Sequence, residues 1–143
     1  MIFDKLMAFA DSQTVTGGST TASTDYANLG SAARKLGSGR PLWAVVKIIN
    51  KSGGDGSDTF TFSVQTDDNT SFSTPTTIAA SPTVTGIANI AVGQQIVIPI
   101  PIGVAFEQYV RIGYAVTADA VLTVDAFITD QEPYDHTIYP DAI

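Results

Sequence analysis

The chain has 143 residues, 44% hydrophobic and 15% charged, which is enough apolar material for one folded domain with its own core. Its 14 acidic and 7 basic residues give a formal net charge of -7, and this acidic balance does not suit the phosphates of nucleic acid or an anionic membrane. The absence of cysteine excludes disulfides and thiolate metal sites.

The first dozen residues, MIFDKLMAFADS, are largely apolar but contain Asp4 and Lys5. These charges interrupt the apolar stretch that a secretion signal requires, and no window approaches the roughly 18 apolar residues of a membrane span. We therefore expect a soluble protein made in the cytoplasm, with neither nucleic acid nor a membrane among its partners.

Short strand patterns follow one another along the chain. RPLWAVVKIIN is apolar on both sides except at Lys47, as in a central strand covered on two faces. DTFTFSVQT alternates apolar and polar side chains, as in a strand with one buried face. QQIVIPIPIG contains Pro99 and Pro101, which cannot donate to a ladder, so we expect it at a sheet edge or a strand end. Further strands are predicted at QYVRIGYAVT, AVLTVDAFIT, 13–16, 76–79 and 83–90.

Turn residues, chiefly Gly, Pro, Asp and Ser, separate these strands. The one helix candidate is SAARKL (31–36), which Gly37 ends. Short strands at this spacing predict an all-β protein, an antiparallel β-sandwich or barrel. We expect a single sandwich domain over residues 1–128, including an apolar N-terminal arm, and an extended C-terminal tail over residues 129–143.

The acidic stretch SVQTDDNTSFSTPTTI (63–78) predicts a hairpin. Asp67, Asp68 and Asn69 have the side chains that bond to their own backbone in turns, and we expect Phe72 to return to the core. A calcium site is the alternative for TDDN and for SGGDGSD (52–58), because both offer oxygen ligands. Neither matches an EF-hand loop, so the sequence predicts turns and no metal.

Nothing in the sequence assembles a catalytic site. His136 is the single histidine, and its neighbour Asp135 points away from it in an extended segment. One histidine cannot supply the three ligands of a histidine-based zinc site. The adjacent Asp67 and Asp68 do not have the separation across a cleft that glycosidase acids require. We expect no enzyme activity and no cofactor.

The two ends of the chain contain the residues best suited to binding a partner protein. Tyr and Pro in an extended tail suit adhesion, because aromatic rings give a large contact area at little entropic cost. The alternative is that both ends fold back on their own sandwich. The candidate interface residues are Ile2, Phe3, Leu6, Met7, Phe9, Tyr134, Ile138 and Tyr139.

Several strings resemble a family of tailed-phage capsid cement (decoration) proteins. The central one is QTDDNTSFSTPTTI, and MIFDKLMAFADSQTVTG, STDYANLG, GRPLWAVVKI and EQYVRIGYAVT occur in the order typical of that family. The resemblance covers roughly residues 1–128, and the tail from Thr129 onward has no counterpart.

This resemblance implies a jelly-roll sandwich on the outer surface of an assembled phage head. It implies a viral structural protein that clamps neighbouring major capsid proteins against internal pressure, without a cofactor or a reaction. The implied partners are the major capsid protein and further copies of the chain, as a homodimer or a homotrimer. The implied location is the virion, after synthesis in the host cytoplasm.

Two other functions remain open on the sequence. A carbohydrate-binding or adhesin-like sandwich would display aromatic side chains along a groove and bind glycans. A tail or fibre accessory protein would be present in few copies per virion.

Overall fold

The computed structural model describes residues 8–30, 41–117 and 119–130. Within them the chain forms nine β-strands and one turn of 3-10 helix, Ile87–Asn89. The strands are β1 (Ala8–Thr16), β2 (Ala27–Asn28), β3 (Leu42–Gly53), β4 (Thr59–Asp67), β5 (Thr76–Ala80), β6 (Val84–Thr85), β7 (Gln95–Ile100), β8 (Tyr109–Val116) and β9 (Ala120–Thr129).

The strands form two antiparallel sheets, which confirms the predicted β-sandwich. One sheet has the order β1-β9-β3-β7, and the other has the order β2-β8-β4-β5 with β6 paired to β4. The pairs β1·β9, β2·β8, β3·β7 and β4·β5 are nested, with the first strand against the last and the middle two against each other. This is the connectivity of a long hairpin rolled into two sheets, the jelly roll.

The core lies between the sheets and follows the period of two. In β4 the inward side chains of Phe60, Phe62 and Val64 have no exposed surface, whereas the residues between them are half-buried. In β3 both Ala44 and Val45 are fully buried although they point to opposite faces. The prediction of a central strand covered on both faces is therefore confirmed for β3, which lies between β9 and β7.

The sheet edges also follow from the sequence. β7, which contains Pro99, is the outermost strand of the four-stranded sheet, as the prolines predicted. β1 is the other edge, and it bulges at Ser12, whose φ is 50°. There the Ser12 N–H donates to Asp125 Oδ1 over 2.6 Å. This hydrogen bond satisfies a backbone donor that has no acceptor in the ladder at the bulge.

The predicted strand at 83–90 is only partly correct. It contains the two-residue β6 and then the 3-10 turn, whose carbonyls at Ile87 and Ile90 accept hydrogen bonds from the Lys51 ammonium group. The helix candidate at 31–36 lies outside the described residues. In the described part of the chain, no helix has the length and hydropathy needed to cross a membrane.

Candidate interaction surface

The predicted interface residues divide between the core and the undescribed parts of the chain. Phe9 is 1% exposed and packs between the sheets, so the prediction that it contacts a partner is wrong in this fold. Phe9 lies in β1 beside the equally buried Ala10, where the register of the strand is irregular. The other seven, Ile2, Phe3, Leu6, Met7, Tyr134, Ile138 and Tyr139, lie outside the described residues.

The acidic loop between β4 and β5 is a turn held together by side-chain hydrogen bonds. The Asp67 carboxylate accepts from the Asp68 N–H, the Asn69 side chain and the Thr74 N–H over 2.7, 2.9 and 3.0 Å. Burial acts to raise the pKa of Asp67, but the hydrogen bonds from Thr74, Asp68 and Asn69 together outweigh it and hold the pKa below the usual aspartate value. The carboxylate is therefore committed to the loop, as the turn interpretation predicted.

Asn69 organises the other half of this loop. Its side-chain oxygen accepts from the Ser71 N–H over 3.1 Å, and its side-chain nitrogen donates to Ser73 Oγ over 3.2 Å. Between these serines the backbone reverses at Phe72, which has a φ of 47° in the left-handed region that side chains rarely adopt. Several local hydrogen bonds thus hold a bulky residue in a strained conformation.

The strained turn directs Phe72 to the outer face of the five-stranded sheet. The Arg111 guanidinium carbon lies 4.3 Å from the centre of the Phe72 ring, and Arg111 lies between the core residues Val110 and Ile112 on β8. Arg111 therefore points away from the core, and Phe72 covers it there. Phe72 is buried at 6% exposure, as predicted, but it packs on this outer face and is not part of the main core cluster between the sheets.

Two tyrosines complete a cluster that we call the aromatic patch, defined as Tyr26, Phe72, Tyr109 and Arg111. The Tyr26 ring stands edge-on to Tyr109 with centroids 5.4 Å apart and lies 6.2 Å from the Phe72 ring. Arg111 also donates from Nε to Gln65 Oε1 over 2.9 Å. Burial lowers the pKa of Arg111 and the nearby Asp67 charge opposes this, so the guanidinium remains protonated.

Tyr26 is the open member of the patch. Its side chain is 47% exposed, one of three large hydrophobic side chains in the described residues with so much free surface. The turn before it is fixed, because the Ser23 N–H donates to the Ile112 carbonyl and the Asp25 N–H donates to the Phe9 carbonyl. The ring is thus presented to solvent from a rigid base.

The second acidic loop is also structural. The Asp55 carboxylate accepts from the backbone and side chain of Ser57, and the Asp58 carboxylate accepts from the Asp55 N–H and the Thr117 hydroxyl. The Ser57 bonds lower the pKa of Asp55. In the described residues no three acidic or histidine side chains are grouped as a metal site would need. His136 lies outside those residues.

Three longer segments outside the described residues, 1–7, 31–40 and 131–143, join the sandwich at the same end. β1 begins there, since Ala8 pairs with Phe127 near the end of β9, and β3 begins there, with Trp43 opposite Thr129. β2 ends there, since Asn28 pairs with Tyr109. We call this the junction end. It includes the exposed Ile102 after β7, and the aromatic patch lies beside it.

Sequence reasoning missed the aromatic patch because its members come from three distant segments. The usable signal was in β8, where Tyr109 and Arg111 alternate with buried residues and so must share the outer face. The strings STDYANLG, QTDDNTSFSTPTTI and EQYVRIGYAVT, which carried the family resemblance, each contribute to this patch.

Comparison with known proteins gives one family. The Bbp16 family model matches residues 9–128, from the first strand to the end of the last. The chain belongs to the Bbp16 family. The name is of the kind given to phage proteins and specifies no activity, and no curated protein matches the chain. The Bbp16 match thus covers the whole sandwich and leaves the C-terminal tail outside.

Proposed function

We propose that this Bbp16-family protein is a capsid cement (decoration) protein. It binds the outer surface of an assembled phage head and clamps neighbouring major capsid proteins, without a catalytic group, cofactor or metal. The jelly-roll fold, the family membership and the resemblance of five sequence strings to cement proteins support this function.

The junction end is the observation that carries the proposal. All seven candidate anchors outside the described residues belong to segments 1–7 and 131–143, and both join the sandwich at this end. Segments 1–7 and 131–143 contain apolar and aromatic residues of the types that dominate protein interfaces, and the exposed Ile102 lies at the end of the sandwich where the described chain leads into both segments.

The mechanism is a linkage between binding and shell closure. A protein that contacts two capsid subunits at once binds the closed shell more tightly than separated subunits, and this difference in affinity stabilises the closed state. Many copies on a symmetric shell raise the effect further, because each contact holds the next in place. The sandwich needs no moving part for this role.

Binding to assembled particles tests the proposal directly. Recombinant protein is mixed with purified heads that lack it and, separately, with unassembled shell protein, and both mixtures are sedimented. We expect saturable binding to the heads alone and a higher temperature of DNA release from decorated heads. Equal survival of bare and decorated heads after heating and osmotic shock would contradict the clamp.

Truncation locates the contact. Variants that lack residues 1–7 or residues 131–143 are expected to stay folded by circular dichroism and to lose binding to heads. An Ile102→Ser variant is expected to weaken binding, whereas Val92→Ser, an exposed apolar residue at the opposite end, serves as the matched control. Full binding by both truncated proteins would move the contact to a sheet face.

The half-exposed Tyr26 favours carbohydrate binding as a second candidate function. Stacked sugar rings need a flat aromatic surface, and Tyr26 beside Tyr109 offers aromatic area at the molecular surface. The rings stand edge-on instead of forming one platform, which weakens this reading. Glycan-array binding that Tyr26→Ser abolishes, with no binding to heads, would establish carbohydrate binding.

The copy number tests a third possibility. Few copies per virion by gel densitometry would favour a tail or fibre accessory protein.

A further inference from the structure

A strained backbone turn fixes the aromatic patch in place. Phe72 has a φ of 47°, and the Asn69 side chain bonds to Ser71 and Ser73 on either side of it. Bulky residues in this conformation are energetically costly, and they cluster at binding sites, where the strain sets a side chain before a partner arrives. The strain at Phe72 therefore indicates a binding role for the surface that its ring helps to form.

Arg111 is engaged on two sides within the patch. Its guanidinium carbon lies 4.3 Å from the centre of the Phe72 ring, and its Nε donates to Gln65 Oε1 over 2.9 Å. Gln65 can lie across β8 because Gly113 has no side chain there, since a Cβ atom at Gly113 would come 2.7 Å from the Gln65 side chain. These contacts hold Arg111 on Phe72, while Tyr26 keeps 47% of its surface exposed. The patch thus has one cation in place and an open ring beside it.

The charges around the open ring favour a second cation. Three exposed carboxylates lie within two residues of the patch tyrosines, along the chain or across the sheet: Asp25, Asp68 and Glu107. The other bases among the described residues, Lys47 and Lys51, lie on β3 in the opposite sheet. A guanidinium or ammonium group that approaches Tyr26 therefore meets an aromatic ring and a negative potential together.

We propose that the aromatic patch is a docking site for an Arg or Lys side chain of the shell protein, which stacks on Tyr26 and faces the three carboxylates. This inference rests on the proposed capsid function and names the chemistry of the partner at one surface. The patch lies beside the junction end, so one shell subunit can contact both. Because the carboxylates are exposed to solvent, the contact weakens as salt is added.

A short peptide tests the site in the free, full-length protein. The probe is acetyl-Gly-Arg-Gly-Arg-Gly-amide, the control peptide has Gln in place of Arg, and NMR follows the ring signals of Tyr26 and Tyr109. We expect saturable shifts with the Arg peptide alone, and an affinity that falls about tenfold or more as NaCl increases from about 0.02 M to about 0.5 M. Ring signals that respond equally to both peptides overturn the proposal.

Variants test the same residues on purified heads. Tyr26→Ser is expected to weaken binding by about tenfold, whereas Tyr26→Phe keeps the ring and is expected to keep the affinity. Combined Asp25→Asn, Asp68→Asn and Glu107→Gln substitutions are expected to weaken binding in low salt and to flatten its dependence on salt. Asp55→Asn removes an exposed charge at the opposite end of the sandwich and is the matched control.

The two experiments separate this inference from the capsid function. Heads that bind Tyr26→Ser and the wild type equally overturn the cation site and leave the clamp standing. Arg-peptide binding at the patch of a protein that binds no heads supports the cation site and contradicts the capsid function alone. Glycan binding that Tyr26→Ser abolishes, with no response to the Arg peptide, overturns the cation site in favour of carbohydrate.

Discussion

At the scale of single residues, the Asp67 carboxylate makes the stability of the loop that holds Phe72 depend on pH. Hydrogen bonds lower the folded-state pKa of this group below the 3.8 of a free aspartate, so its contribution to stability is present above that value and is lost as pH falls through the folded pKa. We expect Asp67→Asn to lower the melting temperature at pH 7. We also expect it to flatten the fall in melting temperature between about pH 4 and pH 2.

Asp68→Asn is the control for this experiment. Asp67 accepts hydrogen bonds from three groups in the loop, whereas the Asp68 carboxylate accepts one, from the Asn69 side chain over 3.0 Å. Removing the charge at position 68 is therefore expected to cost less at neutral pH. An Asp67→Asn protein with the wild-type melting temperature at pH 7 would mean that these bonds do not stabilise the fold.

Gly17 is a second residue whose identity is set by its surroundings. A Cβ atom there would lie 1.9 Å from the Thr117 carbonyl oxygen, a backbone atom that cannot rotate away. We expect Gly17→Ala to lower the free energy of unfolding by about 1 to 3 kcal/mol, as overpacked sites do. Gly56→Ala, where a Cβ meets nothing within 4 Å, is expected to change it by less than about 0.5 kcal/mol. Urea denaturation of both variants measures the difference, and equal midpoints would contradict the steric argument.

At the scale of elements, Gln13 ties the β1–β2 connection to both sheets. Its side chain donates to the Ala22 carbonyl over 3.1 Å and accepts from the Thr24 N–H and the Tyr114 hydroxyl over 3.0 and 3.2 Å. We expect Gln13→Ala to lower the free energy of unfolding by about 1 to 3 kcal/mol, since it leaves partly buried polar groups unpaired. Amide exchange is expected to quicken over residues 20–26.

Thr14→Ala is the matched control, because Thr14 is the exposed neighbour of Gln13 in the same strand. Its substitution is expected to leave exchange in residues 20–26 unchanged. Equal protection in the Gln13→Ala protein and the wild type would show that backbone bonds alone hold this connection.

Three of the strands, β3, β4 and β7, were predictable from sequence because each carries its own local pattern. Alternation in β4, the apolar run of β3 and the prolines of β7 are local properties, and each strand occupies the place in its sheet that those properties implied. The burial of Phe72 was predictable, but the face on which it is buried was not, because its direction depends on a left-handed backbone conformation in a loop held by Asp67 and Asn69. The aromatic patch was missed because Tyr26 and Tyr109 meet only after the chain has rolled up.

At the scale of the whole molecule, the nested strand pairs differ in the entropy lost when each pair forms, because each closes a loop of different length. β5 begins nine residues after β4 ends, so their hairpin closes a short loop. β1 and β9 are about a hundred residues apart and close the largest loop of all. Since loop-closure entropy rises with length, the β4 region is the natural site of early structure and the β1·β9 pair should form late.

Two valines test this order with the same substitution. Val15 in β1 and Val64 in β4 are both fully buried in the core, so Val→Ala at either site is expected to lower the free energy of unfolding by roughly 1 to 3 kcal/mol. In stopped-flow experiments we expect Val64→Ala mainly to slow folding, with a φ-value above about 0.5, and Val15→Ala mainly to speed unfolding, with a φ-value below about 0.2. A φ-value at Val15 equal to or above that at Val64 would mean that the ends of the chain meet before its middle folds.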